Sequence, residues 1–266
     1  MARLRRLDAE LVRRKLARSR EAAAQLVHDG RVTVAGTIAA KPATQVDPAV
    51  AILVKVDDSD PGYASRGGHK LAGALDHFEE LVVEGRRCLD AGASTGGFTD
   101  VLLRRGAGHV VAVDVGYGQL VWSLQQDPRV TVLDRTNVRE LLPEQVAPAP
   151  SLVVGDLSFI SLRLVLPALV GCTAPDADLL LMVKPQFEVG RERLGSGGVV
   201  RDPAVRADAV RTVADAAFGL GRGVRGVVAS PLPGPSGNVE YFLWLSAGAP
   251  ALAPADLDRA IAEGPA

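Results

Sequence analysis

Cysteine is almost absent from this chain. Cys88 and Cys172 are the only two, and no C-x-x-C pair or Cys/His cluster surrounds either. A disulfide framework and a structural zinc are therefore both excluded as organising devices, and no metal site is expected. Cys88 lies in an apolar run, where a buried inert thiol is the ordinary outcome. Long hydrophobic runs are missing too: none approaches the ~20 residues of a membrane helix. The N-terminus carries charge within its first six residues and no apolar segment follows, so no secretory signal is read there. A reducing cytoplasm is the expected compartment, with no integral membrane association. Charge of one sign is not in excess either, since the net charge is −1.

That balance hides an asymmetry. Residues 1–41 hold ten Lys/Arg against four acids, so the rest of the chain is acidic. A basic end on a mildly acidic body points toward nucleic acid. The composition, 47% hydrophobic and 23% charged, excludes disorder. Its 266 residues suffice for one sizeable core plus a small appendage.

The chain is organised around Arg87-Cys-Leu-Asp90-Ala-Gly92-Ala-Ser94-Thr-Gly96-Gly97-Phe98-Thr99. The run reads as a buried strand, a glycine-rich turn and a helix start. Glycines allow a tight turn and close approach of a ligand. The helix start offers free N–H groups to polar ligand atoms. A second strand, His109 to Val113, leads to Asp114, 22 positions after Gly92. That is close to the ~20 residues at which an acid meets a ribose in dinucleotide folds. The glycine spacing is not the dinucleotide G-x-G-x-x-G. It resembles the D-x-G-x-x-x-G turn of methyltransferases that bind S-adenosylmethionine.

Ahead of this lies a smaller unit. Leu7, Leu11, Val12 and Leu16 recur at helical spacing over residues 5–18. Ser19 is placed to cap a second helix, with Glu21 favourable in its first turn and Gly30 as its stop. Arg31 to Ile38 alternates like a strand running into a turn, and Ala51 to Val56 reads as another strand. The run Arg6-Leu-Asp8, Ser19-Arg20-Glu-Ala, Gly30-Arg31-Val-Thr-Val, Gly36 and Lys41-Pro42 resembles the S4 RNA-binding domain. The resemblance implies Arg6, Arg13, Arg14, Arg18, Ser19, Arg20, Arg31 and Lys41 as RNA contacts. Contacts of this kind to phosphates give affinity with little sequence choice.

Asp57-Asp-Ser-Asp60-Pro-Gly62 is acidic and rich in breakers, which sets a domain boundary there. The expected division is 1–60 for the RNA-binding unit, 61–66 as linker, 67–250 as catalytic domain and 251–266 as tail. Beyond the linker, Lys70, Leu71, Ala74, Leu75 and Phe78 mark an amphipathic helix. Further strands follow at Val130–Asp134, Ser151–Asp156, Asp178–Lys184, Arg225–Ala229 and Tyr241–Leu245, with an Asp202-capped helix to about Phe218. Apolar strands alternating with helices argue for an α/β fold: a doubly wound, mostly parallel seven-stranded sheet. Ligands in such sheets bind at the carboxyl ends of the strands. Asp90, Asp114, Asp134, Asp156 and Lys184 all fall at or near such ends. An antiparallel last strand would bring Glu240 to the same edge, and Lys70 could reach over it.

The body resembles the FtsJ-like RNA ribose methyltransferases, whose Lys-Asp-Lys-Glu tetrad is matched by Lys70, Asp156, Lys184 and Glu240. With the S4-like unit, Tyr63-Ala-Ser-Arg66-Gly-Gly-His-Lys70-Leu, Lys184-Pro-Gln-Phe-Glu188 and Gly237-Asn-Val-Glu240-Tyr, it looks like the TlyA family. These are rRNA cytidine 2′-O-methyltransferases also labelled hemolysins. The resemblance implies S-adenosylmethionine as cofactor and ribosomal RNA or ribosomal subunits as partner, with Arg66 among the RNA contacts. It implies that the Gly92–Phe98 backbone with Ser94 holds the methionine part, that Asp90 is a further cofactor contact, that Asp114 takes the ribose hydroxyls, and that Asp134 and Asn137 lie near the adenine. A ribose hydroxyl is a poor nucleophile until its proton is removed or polarised. A lysine serves as base only when neutral, which a neighbouring cation or burial favours. Lys184 beside Lys70, oriented by Asp156, would meet that need, and Glu240 could accept from Lys70 or from the ribose. A nicotinamide oxidoreductase is disfavoured by the glycine spacing. A non-enzymatic RNA-binding assembly protein is disfavoured by the complete tetrad. A membrane-lysing protein is disfavoured by the lack of a spanning segment.

Overall fold

The computed structural model describes residues 4–17, 19–55, 61–234 and 236–264. Arg18 and the acidic run 57–60 lie outside these. The chain forms two compact units, Met1–Gly62 and Tyr63–Ala266.

The first unit contains β1 (Arg5–Arg6), α1 (Leu7–Arg13), α2 (Arg20–His28), β2 (Val32–Val34), β3 (Thr37–Ile38), β4 (Gln45–Val46) and β5 (Ile52–Val54). Ser19 caps α2 by accepting from the Ala22 N–H at 3.1 Å. Gly30, at φ 67°, ends it, since only glycine takes that conformation freely. Ala35 and Gly36 are both left-handed and turn β2 into β3. β2 pairs antiparallel with β3 on one side and β5 on the other. Leu7, Leu11, Ala23, Val27, Val32, Val46 and Ile52 form the core. The first helix is shorter than its apolar spacing predicts. Arg5 and Arg6 are drawn into a ladder with Val46 and Gln45. At the other end Lys15 turns at φ 59°, which leaves Leu16 37% exposed and outside the core.

The second unit opens with α3 (Gly67–His77) and continues through β6 (Arg87–Ala91), α4 (Gly97–Arg104), β7 (His109–Val113), α5 (Trp122–Gln125), β8 (Val130–Leu133), α6 (Pro143–Val146) and β9 (Leu152–Gly155). It closes with α7 (Leu162–Gly171), β10 (Asp178–Val183), α8 (Pro185–Glu188), α9 (Pro203–Gly219), β11 (Arg222–Ala229), β12 (Tyr241–Ala247) and α10 (Pro254–Glu263). The strands form one seven-stranded sheet in the order β11-β12-β10-β9-β6-β7-β8. Pairs from β10 to β8 are parallel, and β12 is antiparallel to both its neighbours. The fold is thus the doubly wound α/β type expected, with one reversed strand.

Alternation along the strands splits the core into two layers. Leu89, Leu179, Leu181 and Val183 face α7, α9 and α10. Cys88, Leu180 and Met182 join Leu71, Leu75, Val101 and Leu102 from α3 and α4 on the other side. Segment 251–266, expected as a tail, carries α10, which buries Leu257 and Ala260 at helical spacing. After β8 the chain returns to the far side of β6 to start β9. The crevice between the ends of β6 and β9 is therefore the topological switch point, where ligands of such sheets sit.

Candidate active site

The glycine turn stands at that crevice. Gly92 has φ 87°, and a Cβ there would lie 3.0 Å from the Asp156 carbonyl, so the first turn needs glycine. Ser94, at φ 47°, is exposed and donates its N–H to Asp114 Oδ2 at 2.7 Å. Asp114 Oδ1 accepts from the Gly116 N–H, also at 2.7 Å. The turn and the carboxylate after β7 are joined directly. Asp134 Oδ2 accepts from the Gly118 N–H at 2.9 Å and Asn137 Oδ1 from the Arg139 N–H at 3.1 Å. Exposed Val115 and Tyr117, the latter under the Arg135 guanidinium at 4.2 Å, form an apolar rim beside these carboxylates.

Asp90, the Phe98 ring and the Cβ positions of Gly96 and Gly97 face inward rather than toward a ligand. Asp90 is fully buried, and its Oδ2 accepts from Thr99 Oγ1 at 2.6 Å. It fastens the start of α4 to β6. Its other oxygen is buried without a hydrogen-bond partner, and burial pushes the carboxyl up to about 7. The Phe98 ring is buried and stacks on Phe242 at 6.1 Å, so only its backbone faces the turn. Gly97 is a packing glycine: a Cβ there would stand 2.2 Å from Ser65 Oγ and 2.8 Å from the Gly68 nitrogen. Gly96, at φ 99°, is also a packing position, since its Cβ would meet Leu124 at 2.3 Å and Leu120 at 2.8 Å. The Gly97 contacts seat the start of α3 on the turn, and the Gly96 contacts seat α5.

The four residues of the tetrad form two ion pairs. Lys70 on α3 is 6% exposed and Glu240 just before β12 is 1% exposed. Lys70 Nζ lies 2.5 Å from Glu240 Oε2. Lys184, which follows β10 and sits at the N-cap of α8, places Nζ 2.5 Å from Asp156 Oδ1. It meets that oxygen as an ion pair rather than along a hydrogen-bond direction, and it donates to Ser158 Oγ at 2.8 Å. A Cβ on Gly67, in the first turn of α3, would be 3.8 Å from Asp156 Oδ2. The helix carrying Lys70 thus packs against the second pair. Asn238 fixes the approach to Glu240: its Oδ1 accepts from Val200 N–H at 2.9 Å and its Nδ2 donates to the Gly198 carbonyl at 3.1 Å. Such pairs in a largely water-excluded edge can hold and move a proton at a bound hydroxyl.

Ser158 and Phe159 escaped the sequence reading. Phe159 is 91% exposed with φ 64°, and its ring lies 5.1 Å from that of Phe187. An apolar residue two or three positions past a strand-end acid is the signal that was there to find.

In the first unit four of the expected RNA-contacting arginines share two buried acids. Asp8 pairs with Arg6 at 2.8 Å and Arg20 at 3.0 Å. Glu10 pairs with Arg13 at 2.6 Å and Arg14 at 2.7 Å. The hydrogen bond from Arg6 holds the Asp8 carboxyl well below the usual range, and that from Arg13 brings Glu10 down to about 2. Arg6, Arg13 and Arg20 keep exposed edges. Arg14 is largely buried and also donates to the Val50 and Pro48 carbonyls. Ser19 is occupied as a helix cap, Lys41 is exposed, and Arg31 and Arg66 are half-buried. No helix among the described residues is long and apolar enough to cross a membrane.

Comparison with known proteins places the same two units. Residues 63–247 match the FtsJ-like methyltransferase family and residues 5–52 the S4 domain. The 16S/23S rRNA (cytidine-2′-O)-methyltransferase TlyA of Mycobacterium tuberculosis is 61% identical over 270 residues, with 100% of both chains covered. The 23S rRNA (cytidine-2′-O)-methyltransferase TlyA of Campylobacter jejuni is 32% identical, covering 72% of this chain and 74% of its own. A solved structure from Streptococcus thermophilus that carries a hemolysin label superposes with a TM-score of 0.79 at 37% identity. It covers 99% of this chain and 96% of its own.

Proposed function

The chain belongs to the TlyA family of FtsJ-like methyltransferases, and on that premise we propose that it methylates the 2′-hydroxyl of cytidine ribose in ribosomal RNA, using S-adenosylmethionine. The observation that carries this reading is the pair of lysine–carboxylate contacts beside the glycine turn at the switch point. A ribosomal substrate implies action in the cytoplasm.

The residues around the turn fit such a cofactor. The 92–96 backbone with exposed Ser94 would hold its amino-acid end, Asp114 its ribose, and Val115 with Asp134 the edge of its base. When bound, S-adenosylmethionine supplies an electrophilic methyl group on a sulfonium. The protein's task is then alignment and proton handling. Lys184 takes or relays the 2′-hydroxyl proton, Asp156 and Ser158 fix the direction of its amine, and Glu240 holds Lys70 across the edge. Exposed Phe159 offers a face for a base drawn out of its stack. The first unit supplies phosphate contacts through Arg6, Arg13, Arg20, Arg31 and Lys41.

Two measurements test the reading. Calorimetry should show binding of S-adenosylmethionine and none of NAD. Mapping of 2′-O-methylation on rRNA from cells with and without the gene should show cytidine sites lost with the gene. Both subunits are the substrates to assay, since the M. tuberculosis relative is named for both and the C. jejuni relative for 23S alone. Preferential NAD binding, or an unchanged methylation map, would overturn the proposal.

A further inference from the structure

Two segments make the Lys184 half of the site. One runs from Asp156 after β9 into the start of α7. The other runs from Lys184 through α8. They are stitched at three places. The first is Lys184 with Asp156 and Ser158. The second is the Phe187 ring against Phe159. The third lies farther from the chemistry, at Glu188.

The Glu188 side chain is 1% exposed. Its Oε1 accepts from the Leu162 N–H at 2.7 Å and its Oε2 from Ser161 Oγ at 2.5 Å. Arg163 Nε stands 3.8 Å from the same oxygen. Leu162 is the first residue of α7, so Glu188 satisfies a helix-start N–H from another element. Ser161, which caps α7 through its own Oγ, is held by the same carboxylate. Burial holds the Glu188 carboxyl above the usual range, opposed by those two hydrogen bonds. A buried carboxylate is costly unless it is fully partnered, so this one must return something.

We propose that Glu188 is a positioning residue for methyl transfer: it locks the 156–162 loop to α8 and so sets Asp156, Ser158 and Phe159 against Lys184. The proposal rests on the methyltransferase reading above. Phe159 supports it. A non-glycine residue at φ 64° and almost fully exposed is strained, and strain persists only where neighbouring contacts over-determine the loop. The ends of this loop are fixed by Asp156 on one side and by Glu188 through Ser161 and Leu162 on the other. A small misplacement of the acceptor amine relative to the ribose is enough to cost about 10²-fold in rate.

The test uses the full chain with Glu188→Ala, Glu188→Asp and Glu188→Gln. Single-turnover methylation of rRNA, S-adenosylmethionine affinity by calorimetry, and hydrogen exchange across 156–163 are measured on each. Glu188→Ala and Glu188→Asp, which lose the reach, should slow transfer roughly 10–100-fold. Cofactor affinity should stay unchanged, and the Leu162 amide should exchange faster in both. Glu188→Gln keeps the reach and an acceptor for the Leu162 N–H, and should recover most of the rate. Wild-type rates in both short variants would overturn the proposal, as would a rate loss matched by an equal loss of cofactor affinity. Should the wild type itself not methylate rRNA, the functional reading fails instead. Hydrogen exchange at Leu162 in Glu188→Asp then decides the clamp alone, with unchanged exchange counting against it.

Discussion

Lys70 and Glu240 are 170 residues apart in the chain, yet their charged atoms stand 2.5 Å apart in a buried contact. Only the reversed direction of β12 allows this. Its first residues, not its last, meet the edge where the parallel strands end. The partner pair, Lys184 with Asp156, is built from two adjacent parallel strands in the ordinary way. Each lysine therefore faces a carboxylate of its own.

Lys184→Ala should lower the single-turnover transfer rate roughly 10²–10⁴-fold, the usual worth of a positioned acid–base group. Affinity for cofactor and for RNA should change little. Lys184→Arg should not rescue, because arginine stays protonated. Rapid-quench assays on both variants check this, and a near-normal rate for Lys184→Ala would shift the proton to Asp156 or to solvent.

Asp90 makes stability depend on pH. Its folded-state carboxyl is pushed up to about 7 by burial, while an unfolded aspartate titrates near 3.9. The folded state thus holds a proton that the unfolded state releases between these values. The contribution is complete below about pH 4 and is lost as pH rises through about 7, at up to ~1.4 kcal/mol per pH unit. Asp90→Asn stays neutral throughout. Urea unfolding should show the variant gaining on wild type between about pH 4 and pH 8. An equal difference at both ends would show that Asp90 is not the group responsible.

Within the first unit, Arg14 and Lys41 should behave oppositely. Arg14 is committed to Glu10 and two backbone carbonyls, so Arg14→Ala should destabilise the unit and leave the salt dependence of RNA binding alone. Lys41 is exposed, so Lys41→Ala should leave melting unchanged and reduce the salt slope by about one. Filter binding across a salt series with thermal melts separates the two, and a melting loss for Lys41→Ala would count against the assignment.

The sheet and its order of strand and helix were legible because apolar runs are local signals, and strand-end charges brought Asp156, Lys184 and Glu240 to one edge. What faces what was less so. Asp90 looked like a ligand contact because it adjoins the turn, but it lies beneath the turn and faces Thr99. Gly96 looked like a place kept open for a ligand. The space is instead filled by Leu120 and Leu124, residues no local pattern links to it. Leu16 kept the helical period after the chain had already turned at Lys15. The charge count of the basic end is plain in the sequence, but that Asp8 and Glu10 lie buried on α1 and hold four of its arginines is set by the fold.

The return of α10 across the sheet has a practical side. A Cβ on Gly264, just past this helix, would lie 3.0 Å from Val239, one residue before Glu240. An affinity tag or fluorescent fusion following α10 would therefore start at the approach to β12, beside Val239. A label carried on the exposed far end of α9, at Phe218, would keep that approach clear for kinetic work.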